Sequence, residues 1–168
     1  MAIEPLVIDD FKKNMIIKKF DIAKHLLDRA IEAFFNDDVI TAIHLASASE
    51  EILGKYCEYK GMESSFNILL SNAQSLNNEL KYKEINDLLN ETKNQLKHFR
   101  NANDDEVEIL ELDPYFLLVR AVINYMKIDN VPSPLIIKFT RWVHSTNADN
   151  TPEFSILLSG VKSLVPEV

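Results

Sequence analysis

The chain has 168 residues, of which 46% are hydrophobic and 26% charged, as in ordinary soluble proteins with one sizeable core. Eighteen basic against 26 acidic side chains give a net charge of −8, which repels phosphate backbones on average and argues against non-specific DNA binding. Three glycines are too few for the frequent turns of a long β-rich fold, so the composition favours helices.

Residues 1–19 are predicted as a lead-in segment that is extended around Pro5. The acidic first eleven residues lack the basic region of a secretory signal, and no run approaches the roughly 18 apolar residues of a membrane span. Cys57 is the only cysteine, which excludes an intramolecular disulfide and a thiolate zinc cluster. We therefore expect a cytoplasmic protein with no membrane contact.

Apolar residues recur at helical spacing from Phe20 to Phe35 and predict the first helix. Asp38 is a suitable N-cap for a second helix that runs to about Lys60 and is apolar over most of its circumference. Gly61 is well placed to end this helix as the first residue beyond its cap. A shorter third helix is predicted over residues 65–76.

The fourth helix is predicted from Tyr82 to Asn101, with a core stripe formed by Ile85, Leu88, Leu89, Thr92, Leu96 and Phe99. Residues 107–112 alternate in polarity, but a lone strand has no partner, so an extended connector is expected.

Asp113 and Pro114 then predict a helix start, a capping acid followed by proline at the first helical position. The apolar helix that follows, from Tyr115 to Lys127, suits either the centre of the core or a dimer surface. Further helices are predicted over residues 135–145 and from Thr151. The sequence thus predicts an all-α, single-domain bundle of six to seven helices.

Two segments carry candidate chemistry, and the first is a narrow polar stripe on the second helix made of His44, Ser47, Glu51 and Lys55. Glu51 and Lys55 form an i,i+4 pair, so a solvated face explains the stripe, and a face toward a groove or partner is the alternative. Cys57, on the same helix, is expected to be a small buried hydrophobe.

Metal binding is not expected, because the histidines stand singly on different helices without the Glu-x-x-His pairs of helical metal sites: His25, His44, His98 and His144.

The second segment is a local basic cluster within the acidic chain, over residues 93–101. Asn94, Lys97, His98 and Asn101 project from the side of the fourth helix opposite its core stripe. Asn94 lies one helical turn from His98 and could orient its imidazole, while Lys93, Lys97 and Arg100 could hold a phosphate. This combination suits metal-independent cleavage of RNA, with His98 moving the proton. A plain solvated face is the alternative.

Residues 42–55, AIHLASASEEILGK, resemble the second helix of HEPN domains, where an alanine-rich helix carries a glutamate and then a lysine before a glycine turn such as Gly61. A later helix in many HEPN proteins bears an arginine, a polar residue, and a histidine four to six positions beyond the arginine. Lys93, Asn94 and His98 lie at those places. Lys93 replaces the arginine of the family's ribonucleases and lacks its planar fork for phosphate.

The resemblance covers roughly residues 20–127, which leaves the C-terminal helices of residues 132–164 unexplained. It implies an HEPN-like protein that interacts with RNA or nucleotides, either a metal-independent ribonuclease or a catalytically weakened relative. It also implies a homodimer and the catalytic group His98, Asn94 and Lys93, without a cofactor. The competing hypothesis is a non-catalytic helical module for protein interaction or regulation.

Overall fold

The computed structural model describes residues 15–76, 81–98, 105–110 and 112–146. In this part of the chain the regular structure is helical throughout, which confirms the all-α prediction. The helices are α1 (Lys19–Phe35), α2 (Val39–Tyr59), α3 (Ser65–Leu76), α4 (Tyr82–Gln95), α5 (Asp113–Ile128) and α6 (Pro134–Ser145). The helix predicted from Thr151 and most of the lead-in segment lie outside the described residues.

Local capping signals fix both ends of α2. The Asp38 carboxylate accepts a hydrogen bond from the Thr41 backbone N–H at 3.2 Å, as expected of an N-cap. At the other end Gly61 has a φ of 74°, and the backbone N–H groups of Gly61 and Met62 donate to the carbonyls of Glu58 and Cys57. This is a Schellman motif, which confirms Gly61 as the helix stop.

Helix α5 lies at the centre of the core. Its residues Leu118, Ala121 and Tyr125 are fully buried, and both α1 and α2 pack against it. The core cluster of the described residues also includes Phe139 of α6, so this helix shares the core of the preceding ones. Of the two alternatives for the Tyr115–Lys127 segment, the monomer core is therefore confirmed and the dimer surface is wrong.

Helix α4 is shorter than predicted, because it ends at Gln95 with Leu96 as its cap. The next backbone N–H groups bond over three residues instead of four, from Lys97 to Asn94 and from His98 to Gln95. This tightening ends the helical face on which the basic cluster was placed.

The connector before α5 is tied down by Asp113, which is the first residue of the helix and not its N-cap as predicted. Its carboxylate accepts hydrogen bonds from the Leu110 backbone N–H at 2.8 Å and from the Thr92 hydroxyl at 3.0 Å. Of the predicted connector, residues 107–110 have no regular structure, as expected of a connector, and residue 111 lies outside the described residues. Asp113 thereby fixes α4 relative to α5.

Candidate functional site

A buried ion pair joins α2 to α5. The Nε of Arg120 lies 3.8 Å from Oε1 of Glu50, and the two side chains are 2% and 5% exposed. The Arg120 guanidinium also lies over the Phe66 ring, 5.4 Å from its centroid, in a cation–π contact. Within the described part of the chain, Nε and Nη2 of Arg120 have no hydrogen-bond partner. Two charges are thus held in the interior with incomplete pairing.

Lys93 reaches this pair from α4. Its side chain is half-buried, and this burial lowers the pKa of the Lys93 ammonium because the charged form loses water. The Glu50 carboxylate opposes that lowering, whereas the positive charge of Arg120 adds to it. Lys93, Glu50 and Arg120 are therefore electrostatically coupled across three helices.

A pocket of about 260 Å³ opens beside this cluster. We call it the α2–α4 pocket, and its walls include Glu50, Phe66, Asn67, Tyr82, Asn90 and Lys93. Asn90 is 8% exposed, and its Nδ2 donates to the Asn86 carbonyl at 2.8 Å. Among the described residues, Oδ1 of Asn90 has no hydrogen-bond partner. Asn90 thus lines the pocket, and its buried acceptor oxygen has unused hydrogen-bonding capacity.

A larger groove of about 760 Å³ lies on the surface of α2. We call it the lysine groove, and its polar and aromatic lining comprises Lys19, Glu51, Lys55, Tyr56, Tyr59 and Lys97. Tyr59 is 87% exposed, so most of its ring faces solvent. The groove combines three ammonium groups with two tyrosine rings on the surface of a chain whose net charge is −8.

The structure joins the two segments that the sequence presented separately. Glu51 and Lys55 of the polar stripe line both the lysine groove and the α2–α4 pocket. Of the basic cluster, Lys97 lines the groove and Lys93 lines the pocket. The groove and the pocket therefore meet at Glu51 and Lys55.

The remaining residues of the polar stripe do not belong to this surface. Ser47 is fully buried and donates a hydrogen bond to the His44 carbonyl at 3.0 Å, so the prediction of one continuous polar stripe is wrong. Half-buried His44 lines neither cavity. The Lys55 ammonium contacts Glu58 at 2.8 Å, so its ion pair runs to Glu58 and not to Glu51 as predicted.

The predicted pair of Asn94 and His98 is not assembled. Both side chains are exposed, as expected from their position opposite the core stripe. Because α4 ends at Gln95, however, the two residues are not stacked on successive helical turns, and no hydrogen bond joins them within the described region. Arg100 and Asn101 lie outside the described residues.

Cys57 is fully buried, which confirms its expected place in the core, and burial raises the pKa of its thiol. In the part of the chain that the structure covers, no three His, Cys, Asp or Glu side chains gather where they could hold a metal ion. None of the described helices combines the length and apolarity needed to cross a membrane.

The sequence reasoning missed Glu50, Arg120 and Asn90. Arg120 carried a usable signal, since an arginine in the middle of the apolar run LLVRAVINY must find a partner once that helix is buried. Glu50 stands next to Glu51, and nothing in the local pattern shows which of the two faces the core.

No family model, curated protein or solved structure matches this chain.

Proposed function

We propose that this chain is an HEPN-like helical protein that binds single-stranded RNA in the lysine groove. The observation that carries the proposal is the grouping of Lys19, Lys55 and Lys97 around Tyr56 and Tyr59 in one groove of about 760 Å³. Non-specific single-strand binders combine a positive channel for the phosphates with aromatic rings on which bases stack. This local combination contrasts with the acidic remainder of the chain.

Each part of the groove has a corresponding role. The ammonium groups of Lys19 and Lys97 contact phosphates as point charges. Lys55 is partly neutralised by Glu58, so its contribution is the smallest of the three. The exposed ring of Tyr59 offers a stacking surface for a base. Glu51 adds a negative charge to the lining, which weakens binding of phosphate and restricts where the backbone lies.

The proposal assigns binding and not cleavage, as in the catalytically weakened relative that the resemblance implies. An acid–base histidine is more efficient when a partner orients it, and the end of α4 at Gln95 removes the helical register that would hold Asn94 against His98. Lys93 is half-buried beside Glu50 and lines the α2–α4 pocket, not the lysine groove. Asn94 and His98, by contrast, are exposed.

Fluorescence anisotropy with a 5′-labelled U9 RNA tests the binding proposal. We expect Lys97→Ala and Lys19→Ala each to weaken binding by about threefold to tenfold. Each loss of a phosphate contact should also reduce the salt dependence of log K by about 0.7. Lys83→Ala is the matched control, because Lys83 is exposed on α4 and lines neither cavity. Absence of RNA binding, or equal losses in all three variants, would refute the proposal.

A cleavage assay in the presence of a chelator tests the assignment of binding alone. We expect the wild type, His98→Ala and Lys93→Ala proteins to leave the RNA intact at the same background level. Cleavage by the wild type that His98→Ala abolishes would instead establish the ribonuclease. A gain of activity in Lys93→Arg would show that the missing arginine fork silences the site.

The HEPN-like proposal includes a homodimer. Helix α5 is buried within the monomer, so its apolar residues are not available for that contact. Sedimentation equilibrium measures the oligomeric state directly. A monomer at micromolar concentration would remove the dimer from the proposal and leave the groove in place.

A further inference from the structure

We propose that the α2–α4 pocket is a base-binding subsite that selects guanine in the RNA held by the lysine groove. This inference rests on the proposed function, because the groove supplies the affinity for the RNA backbone and the pocket supplies sequence preference. Four observations carry it: the size of the pocket, its aromatic walls, its excess of acceptors and its continuity with the groove.

The size suits a base and not a larger ligand. Pockets for drug-sized ligands occupy about 300–1,000 Å³. The α2–α4 pocket, at about 260 Å³, lies just below that range. Phe66 and Tyr82 contribute aromatic wall surface, and aromatic or apolar side chains are what extruded bases pack against in proteins that read them.

The hydrogen-bonding groups of the pocket favour a ligand rich in donors. The carboxylates of Glu50, Glu51 and Glu58 line it, opposed by the ammonium groups of Lys55 and Lys93. Lys55 is already engaged by Glu58, which leaves Lys93 as the cationic donor facing the pocket with no ion pair among the described residues.

Asn90 adds a buried acceptor that has no partner in the described part of the chain. This amide oxygen can only accept a hydrogen bond, so a ligand that contacts it must offer a donor. Guanine presents two adjacent donors, N1–H and the N2 amino group, beside the acceptor O6. Adenine, cytosine and uracil each present one donor group on the same edge. Guanine is thus the base whose edge complements the pocket: its two donors match Oδ1 of Asn90 and a glutamate carboxylate, and its O6 matches the ammonium group of Lys93.

The pocket is placed to receive a base from RNA in the groove. Glu51 and Lys55 line both cavities, so a strand that crosses them has its phosphates in the lysine groove and a base within reach of the pocket. A base at this junction reaches Asn90 and Lys93 on α4 while its backbone stays over α2.

Anisotropy with two RNAs that differ at one base tests the inference. U9 measures binding in the groove, and U4GU4 adds the single guanine. We expect the wild-type protein to bind U4GU4 about fivefold more tightly or better, which corresponds to one or two additional hydrogen bonds. Asn90→Leu is close in shape but has no acceptor, so it should bind both RNAs with the affinity that the wild type shows for U9.

A further variant separates recognition from folding. Asn72→Leu makes the same polar-to-apolar change on α3 outside both cavities and should leave the preference for guanine unchanged. Thermal melting by circular dichroism establishes that the variants are folded. Equal binding of U9 and U4GU4 by the wild type would refute the subsite while the groove proposal stands.

If the protein does not bind U9, the proposed function fails, and the subsite is tested on its own by NMR titration with GMP and UMP. Selective shifts of the Asn90 side-chain amide with GMP would then support the base pocket. Identical responses to GMP and UMP, or none, would refute it.

Discussion

Removing the charge of Glu50 should destabilise the fold strongly, because its partner Arg120 would remain charged in the interior. The two groups lie 3.8 Å apart, and at an effective dielectric constant of about 20 their attraction is about 4 kcal/mol. Measured costs of removing one member of a buried pair are about 3–5 kcal/mol. We therefore expect Glu50→Gln to lower the free energy of unfolding by about 3–4 kcal/mol, a large part of the usual 5–15 kcal/mol.

The reverse deletion should cost less. In Arg120→Met the Glu50 carboxylate keeps a nearby cation, since Lys93 is coupled to it from α4. In Glu50→Gln, by contrast, the positive charges of Arg120 and Lys93 remain together without a buried carboxylate between them. The double variant Glu50→Leu/Arg120→Met removes both charges and should be nearly as stable as the wild type.

Urea unfolding followed by circular dichroism and by the fluorescence of Trp142 measures these free energies. Trp142 is a suitable reporter because its ring packs against Phe34, with centroids 5.1 Å apart. The matched control is Glu58→Gln, which breaks the exposed pair with Lys55 and should cost less than about 1 kcal/mol. A Glu50→Gln variant as stable as this control would refute the reasoning, because the buried pair would then add nothing to stability.

Two other substitutions test separate features. Lys93→Met should raise the urea midpoint at neutral pH, because burial lowers the pKa of Lys93 and its charged form is therefore disfavoured in the folded state. The free energy of unfolding of the wild type, relative to Lys93→Met, should rise with pH between that lowered pKa and the ordinary lysine value of about 10.4. If the Lys93 side chain were fully hydrated, this rise would be absent. Gly54→Ala should stabilise the protein by about 0.5–1 kcal/mol, since a Cβ there would meet its nearest neighbour, Nδ2 of Asn124, at an ordinary 3.5 Å. A lower urea midpoint for Gly54→Ala would show that α2 cannot accept the methyl group beside α5.

Part of the candidate site was predictable from the sequence, because helical projection needs only the positions of residues in one helix. It correctly placed Asn94, Lys97 and His98 on the outside of the fold and Cys57 in the core. Projection assumes that the helix continues, however. When α4 ended at Gln95, the proposed contact between Asn94 and His98 was lost with it.

The sequence by itself determined the helices and most of their ends. Capping residues such as Asp38 and Gly61 act through hydrogen bonds to residues within about one turn. A few neighbouring residues of the sequence are therefore enough to predict where these helix ends lie. Apolar periodicity likewise showed which segments must be buried.

Only the tertiary structure decided which charges meet. Glu50 and Glu51 are neighbours on α2, yet Glu50 is buried against Arg120 and Glu51 is exposed at the junction of the groove and the pocket. Their difference arises from helices far away in the chain, which exclude water on one side of α2 and leave it on the other. The proposed RNA binding in the groove and the proposed base selection in the pocket both depend on that packing, which no local pattern specifies.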